Sequence, residues 1–348
     1  MSAGPDESAF DSGNRLAAFL IVAVAVVIGI VVGIANPFLR NSGSAEGELV
    51  DQLFSIALGI GTTVFVIVEG FLIFSIIRFA RLPGDDGDGP PVRGNVKLEV
   101  FWTAVPAVTV IIIAFLSYQV LVAVDLPRPG EMVVEVTARQ FSWEFYYPDA
   151  DVTAQELHIP LGKTVLLKMH SEDVIHSFWV PAFRMKKDLM PDRETESRIT
   201  ATELGVYPIL CAELCGAGHA DMHTQLVVLS DAEFKQWLAV QGAERASAAS
   251  GDPMAVGRRL FGQYGCNSCH TLGDAGAASQ IGPSLDGIGS RAGTEVAGQT
   301  AEEYLHTSIV SPGDFVVPGY QNIMPQDYEQ RMTDEEINAL VEYLSAQQ

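Results

Sequence analysis

Two cysteines, a histidine and a methionine fall within one short stretch, Cys211-Ala-Glu-Leu-Cys215-Gly-Ala-Gly-His219-Ala-Asp-Met222, and a second imidazole stands upstream at His176. Thiolate and thioether ligands combined with imidazole select copper or zinc over magnesium, calcium or manganese. Cysteines four residues apart can bring both sulfurs to one side of a tight loop, and Gly216 and Gly218 let the backbone fold round what they hold. A Cys211–Cys215 disulfide is the bland alternative. Zinc is the stronger rival, because Cys2His2 is also its preferred set. Met222 argues against zinc, which has little use for a thioether, and favours copper.

A second constellation is Cys266-Asn-Ser-Cys269-His270. Cys-x2-Cys-His is the attachment signature of c-type haem: two thioethers hold the vinyl groups and the adjacent His takes the iron. A bare Cys-x2-Cys would leave redox or zinc readings open. Met/His ligation raises the potential for electron transfer, and Met324, in Gly-Tyr-Gln-Asn-Ile-Met-Pro, is the candidate sixth ligand. Met332 sits beside a helix cap and reads as packing, and Met254 precedes the motif. With every cysteine in a cofactor-like pair, cysteine usage does not fix the compartment.

The elements that must carry these sites are of three kinds. The chain has 348 residues, 48% of them hydrophobic, and a net charge of −22. That balance suits a membrane protein with an acidic water-facing part and argues against nucleic-acid binding, which needs clustered Lys and Arg. Residues 1–14 are polar and read as disordered. Residues 16–35 are apolar without a charge and long enough to span about 30 Å of hydrocarbon. They are a signal peptide or an extra helix, and the long apolar run with only Arg15 before it favours a retained helix. Apolar runs follow at 53–79 and 100–124. Arg78, at the end of the 53–79 run, and Arg81, Arg93 and Lys97 between the two mark that connection as cytoplasmic. Everything after Leu126 then faces outward. Glu69 lies deep in the second run, where a carboxylate is costly and is expected to face protein or a cavity.

Beyond 127–130, short β-rich runs at 132–137, 139–147, 156–159, 165–170, 196–200, 206–210 and 225–229 signal a β-sandwich or barrel. His158, His170 and His223 fall off the ligand motif and read as structural. Residues 239–251, rich in Ala, Ser, Gly and Gln, read as a flexible tether. Asp252-Pro253 opens a helix, and the capping boxes Thr300/Glu303 and Thr333/Glu336 open two more. The chain is therefore multidomain: an N-terminal signal or extra helix (1–40), a transmembrane α-helical hairpin (41–128), a β-barrel (129–238), the tether (239–251) and an all-α domain (252–348).

His176 with Cys-x-Glu-x-Cys-x3-His-x2-Met resembles the binuclear copper (CuA) site of cytochrome c oxidase subunit II, a likeness running from about Leu53 to Gln236. The resemblance implies a cupredoxin-like Greek-key barrel. It implies that Cys211 and Cys215 bridge two coppers, that His176 and His219 each ligate one, and that Met222 and the Glu213 carbonyl are weak outer ligands. By the same likeness the Glu213 carboxylate binds magnesium at the interface with subunit I. Glu99, in Asn95-x2-Leu98-Glu99-x2-Trp102, matches a carboxylate at the mouth of a proton channel. The segment around Pro191-Asp192-Arg193 matches a turn at the subunit I interface, with Asp192 where glycine is common. In relatives a tryptophan after the glutamine of the Gln140–Tyr147 run admits electrons. Here that position is Phe141, and the nearest indole is Trp143.

The region from 252 resembles a class I cytochrome c, with Met324-Pro325 as its distal pair. The combination resembles the fused subunit II of caa3-type oxidases. It implies an electron-transfer subunit in the plasma membrane of a prokaryote, with its copper and haem domains on the outer or periplasmic face. The implied partners are subunit I with haem a, haem a3 and CuB, subunit III, and a reduced donor such as cytochrome c or a bc-type complex. The implied reaction reduces oxygen to water with proton translocation, at a centre this chain does not carry. The rivals are a CuA-bearing subunit of a nitric oxide reductase and a copper-delivery protein; the second gives no reason for a haem domain. No lysine follows Lys235, and carboxylates outnumber arginines beyond it, so the haem domain is expected to dock a basic face, the bland alternative being solubility from a charged surface.

Overall fold

The computed structural model describes residues 7–39, 42–80, 84 and 94–348, in two compact units. Arg81 and Arg93 of the basic connection lie outside the described residues.

The first unit is built on three helices: α1 (Glu7–Ala35), α2 (Ala45–Arg78) and α3 (Val96–Asp125). Each is long and apolar enough to cross a membrane. Both α2 and α3 begin before the apolar runs read from the sequence, because a run marks only the hydrocarbon zone while the helix continues into the polar interface. α1 and α2 meet through small residues. A Cβ on Gly29 would lie 1.9 Å from Thr63 Oγ1, and one on Gly33 would lie 3.0 Å from the Ser55 carbonyl. Asn36 donates to Ser55 Oγ at 2.8 Å on the same seam. Without a hydrophobic drive between helices in lipid, backbone approach of this kind supplies the packing. α3 is capped: Asn95 Oδ1 accepts from the Leu98 N–H at 3.2 Å, and Glu99 accepts from the Asn95 N–H at 3.1 Å. Glu99 therefore has a structural role at the helix start.

The second unit holds the sites. Its ten barrel strands are β1 (Met132–Arg139), β2 (Ser142–Tyr147), β3 (Val152–Ala154), β4 (Leu157–Pro160), β5 (Thr164–Ser171), β6 (His176–Val180), β7 (Met185–Leu189), β8 (Thr195–Thr200), β9 (Gly205–Cys211) and β10 (His223–Leu229). They form two five-stranded sheets, β3-β2-β1-β5-β8 and β4-β10-β9-β6-β7. One core, including Val134, Phe145, Leu167, Phe178, Ile209 and Leu226, is drawn from both sheets. This is the cupredoxin-like barrel. Strands β3, β6 and β7 lie outside the β-rich runs, and β6 carries His176. Four of its five residues are buried, so it offers no inside–outside alternation to read.

The flexible tether is overturned. Residues 239–249 belong to α4 (Asp231–Ala249), opened by a full capping box between Ser230 and Glu233. Phe234 and Trp237 fasten α4 to the barrel: Phe234 joins the barrel core, and Trp237 stacks on the His158 ring at 4.2 Å between centroids. An Ala-rich segment whose apolar spacing stops after its first turns is helical here through propensity and capping.

The haem-motif domain follows as α5 (Pro253–Gln263), α6 (Ile288–Glu295), α7 (Ala301–Val310), α8 (Tyr328–Arg331) and α9 (Asp334–Ser345). Asp252 caps α5, and the two capping boxes at Thr300 and Thr333 are both formed. α5 crosses α9 at Gly257, where a Cβ would sit 2.0 Å from Tyr343 Cβ. Met332 is buried in this domain's core, as a packing residue should be.

Candidate functional site

β9 delivers Cys211 at its end and β10 begins at His223, so the ligand residues between them form one closed loop. The Cys211 N–H donates to the Met222 carbonyl at 3.0 Å across its base. His176 opens β6, whose Phe178 is paired with Cys211, and this pairing brings the upstream imidazole onto the loop. The Cys211 and Cys215 sulfurs are 3.9 Å apart, far beyond the ~2.05 Å of a disulfide. His176 Nδ1 lies 3.9 Å from the Cys211 sulfur, and His219 Nδ1 lies 3.6 Å from that of Cys215. The Met222 sulfur is 3.8 Å from Cys215 Sγ, and the Glu213 carbonyl oxygen is 3.2 Å from Cys211 Sγ. All six candidate ligands thus converge on one small volume. Both cysteines, Met222 and His176 are buried, whereas the Glu213 side chain is exposed.

The electrostatics separate the two thiols. Burial works against ionising Cys211, but hydrogen bonds from the His176 ring and from the backbone at Ser177 and Glu213 bring it down to about 6. Burial and the neighbouring Cys211 sulfur push Cys215 up to about 12. Two close thiols cannot both ionise cheaply without cations between them, and a soft cation pair is what such a donor set fits.

Two supporting residues carry no signal in the ligand motif itself. Asp173 Oδ1 lies 2.8 Å from His176 Nε2, and Asp173 Oδ2 accepts from the Gln140 N–H at 2.7 Å. A metal-binding histidine commonly gives its second ring nitrogen to a carboxylate, which fixes its tautomer and orientation. An acid three residues before His176 was the available clue. Gln140 also donates its side-chain amide to the Cys215 carbonyl. Phe141 lies over the loop: Cβ atoms on Gly216 and Gly218 would come within 3.1 and 2.6 Å of its ring. Glycine is needed at both positions, and Gly216 also has φ of +136°. Trp143 is buried, edge-on to Phe178 and His176. His170 and His223 are exposed on their strands.

In the helical domain Cys266, Cys269, His270 and Met324 line one cavity, together with Phe261 and Tyr328. His270 Nδ1 is engaged by the Pro283 carbonyl at 2.8 Å, leaving Nε2 as the nitrogen available to an iron. A Cβ on Gly282 would lie 2.7 Å from the His270 ring, so the chain wraps the imidazole closely. Burial lowers the His270 pKa and keeps the ring in the neutral, ligating form. Burial pushes Cys266 up to about 12; it also raises Cys269, with help from the carboxylate of Asp221 on the barrel's ligand loop. The apolar cavity, the paired thiols at its rim and the tethered histidine fit a covalently attached haem.

Comparison with known proteins finds matches to all three parts of the chain. Residues 133–229 match the family model for the periplasmic domain of cytochrome c oxidase subunit II, and residues 30–120 match its transmembrane domain. Residues 254–348 match cytochrome c. Cytochrome c oxidase subunit 2 of Bacillus subtilis is 33% identical over 351 residues, covering 93% of this chain and 96% of that one. The subunit 2 of Thermostichus vulcanus is 36% identical over 267 residues, 62% of this chain and 81% of its own. Among solved structures, the periplasmic domain of subunit II of cytochrome oxidase from Bradyrhizobium japonicum is 28% identical with a TM-score of 0.33, covering 34% of this chain and 98% of that one. Carrying a cytochrome c domain behind its copper-type barrel, the chain belongs to the cytochrome c oxidase subunit II family.

Proposed function

We propose that this subunit takes electrons from a reduced donor at its cytochrome c domain and passes them through its CuA site to subunit I of a caa3-type oxidase, where oxygen is reduced. The observation that carries this reading is the approach of the two sites. The loop bearing Cys266 and Cys269 lies against the barrel strand that follows Phe141, with Gly265 so close to Ser142 that a Cβ would meet Ser142 Oγ at 2.9 Å.

In this reading His176, Cys211, Cys215 and His219 hold the copper pair, with Met222 and the Glu213 carbonyl as outer donors. Cys266 and Cys269 would attach the haem, and His270 and Met324 would hold its iron. Bound there, the two groups supply reversible one-electron chemistry. The chain's own residues keep the geometry nearly fixed between oxidation states: Asp173 orients His176, the β6–β9 pairing sets the loop, and burial of both thiolates excludes water and lowers reorganisation. In this reading the Glu213 carboxylate, which is exposed, binds magnesium against subunit I. Glu99 is the proton-entry candidate alongside its capping role. α1 is a retained helix, held to α2 at Gly29 and Gly33. The barrel and cytochrome c domains face the outer side of a prokaryotic plasma membrane, subunit III completes the complex, and the acidic haem domain receives a donor with a basic face.

The purified complex, with its haem c rapidly reduced, tests the reading. Oxidation of haem c in step with reduction of copper, followed by oxygen uptake, is the expected sequence. Copper reduced while haem c stays reduced would overturn the relay.

A further inference from the structure

The four residues Arg139–Ser142, from the end of β1 to the start of β2, touch both redox sites at once. On one side, Arg139 Nη1 donates to the carbonyl of Gln263 at 2.9 Å, three residues before Cys266. Ser142 on the same side receives Gly265, which takes φ of +74° and leaves no room for a side chain. On the other side, the Gln140 amide donates to the Cys215 carbonyl, and the Gln140 N–H meets the carboxylate that orients His176. Phe141 covers Gly216 and Gly218 of the ligand loop.

Arg139 is itself held. Glu172 accepts from its Nη2 and pairs with its Nε, both at 3.2 Å, and Glu144 lies 3.7 Å away. Its side chain is only 12% exposed. A guanidinium anchored by two carboxylates on the barrel and turning its remaining nitrogen to a backbone carbonyl of another domain is a built contact rather than a surface ion pair.

We propose that the segment from Arg139 to Ser142 is a two-sided dock that clamps the haem-attachment loop onto the copper loop, with Arg139 the positioning residue for electron transfer between them. The proposal deepens the relay reading and rests on it. The transfer moves one electron from reduced haem to the oxidised copper pair, with no bond made or broken, so distance is the quantity the protein must fix. Arg139 fixes it without touching either group.

The test uses the whole oxidase complex carrying Arg139→Ala, Arg139→Lys or Gly265→Ala, with haem and copper content measured on each. Losing a charge-assisted hydrogen bond shifts the docked population about tenfold. Hydrogen exchange across 139–143 and 262–270 should therefore quicken about tenfold in Arg139→Ala and be partly restored in Arg139→Lys. Haem-to-copper transfer should slow in the alanine variant and become dependent on solvent viscosity, as opening and closing of the dock enter the rate. Gly265→Ala attacks the same contact from the haem side, so a barrel defect confined to Arg139→Ala is recognised as such. Unchanged exchange in both Arg139→Ala and Gly265→Ala would overturn the dock. A wild type in which haem c passes no electron to copper would overturn the relay, and exchange would still decide the dock.

Discussion

Removing the Asp173 carboxylate should weaken copper binding about as much as it weakens the barrel, by a separate route. Asp173 accepts from the N–H groups of Gln140 at 2.7 Å and Val174 at 2.6 Å, and engages His176 Nε2 at 2.8 Å. Burial works against its ionisation, but these partners hold it below the usual carboxylate range. A hydrogen bond to a charged acceptor is worth about 1.5–3 kcal/mol net. The Asp173 side chain remains 31% exposed, so water replaces part of what is lost. We expect Asp173→Ala to cost about 2 kcal/mol of barrel stability, from two backbone donors re-solvated at the surface. The loss at the metal has a different origin: the His176 ring loses the partner that fixes its tautomer and makes it a stronger base. Such outer-shell changes lower metal affinity about 10–100-fold. Asp173→Asn should fall between, since its carbonyl can serve one donor while its amide opposes the next. Competition against a copper chelator, read by copper retained per haem c, measures affinity, and thermal melting of the copper-free protein measures the barrel. Affinity within about twofold of wild type in Asp173→Ala would refute the argument that the carboxylate sets the ligand geometry.

Other perturbations have defined directions. Gly257→Ala places a Cβ where Tyr343 already stands, at 2.0 Å, so the α5–α9 crossing must open; overpacking of this kind costs about 1–3 kcal/mol, read as a lower melting point of the haem domain. Met324→Ala should lower the haem potential in redox titration while leaving the haem covalently attached, and an unchanged spectrum would point to another axial ligand. Met222→Leu should shift the copper absorption spectrum and potential without abolishing copper. Glu131 is held below the usual carboxylate range chiefly by its hydrogen bonds with Arg198, at 2.9 and 3.1 Å. Its contribution to stability is full at neutral pH and disappears as pH falls through that lowered value, so Glu131→Gln should flatten the acid side of the stability profile.

What the sequence displayed was chemistry more than placement. Cys211, Cys215, His219 and Met222 are legible because a single loop carries them, and ligand spacing within a loop survives any fold around it. Asp173 and Gln140 are not, since each acts through another residue and neither type is distinctive alone. Strands β6 and β7 escaped for separate reasons: β6 is buried almost throughout, and β7 reads Met-Lys-Lys-Asp-Leu, with buried ends and a charged middle. α4 was legible and misread. Ser230 and Glu233 stand at capping-box spacing, and Ala, Gln and Glu follow, yet the absence of an apolar stripe suggested a tether. A helix lying on the surface of a barrel is anchored here in its first turns alone, by Phe234, Trp237 and Leu238, and the apolar spacing does not continue through 239–249.

That correction changes how the two redox domains are joined. A flexible tether of this composition would let the haem domain wander, and electron transfer would wait on chance encounters at an effective concentration set by linker length. α4 instead runs along the barrel from Ser230, fastened by the Trp237–His158 stack and by the Arg245–Asp151 ion pair. Only the turn at Ser250–Asp252 separates it from α5, and there Ser247 Oγ donates to Asp252 Oδ2 at 3.1 Å. α5 then delivers Gln263 and Gly265 to the barrel's β1–β2 turn. The domain is thus held at its entry by a helical strut and at its haem loop by Arg139, and two separated attachments fix an orientation where one would fix only a distance. At that β1–β2 turn the Phe141 ring packs on Gly216 and Gly218 of the ligand loop, while Ser142, the next residue, meets Gly265 of the haem-motif domain.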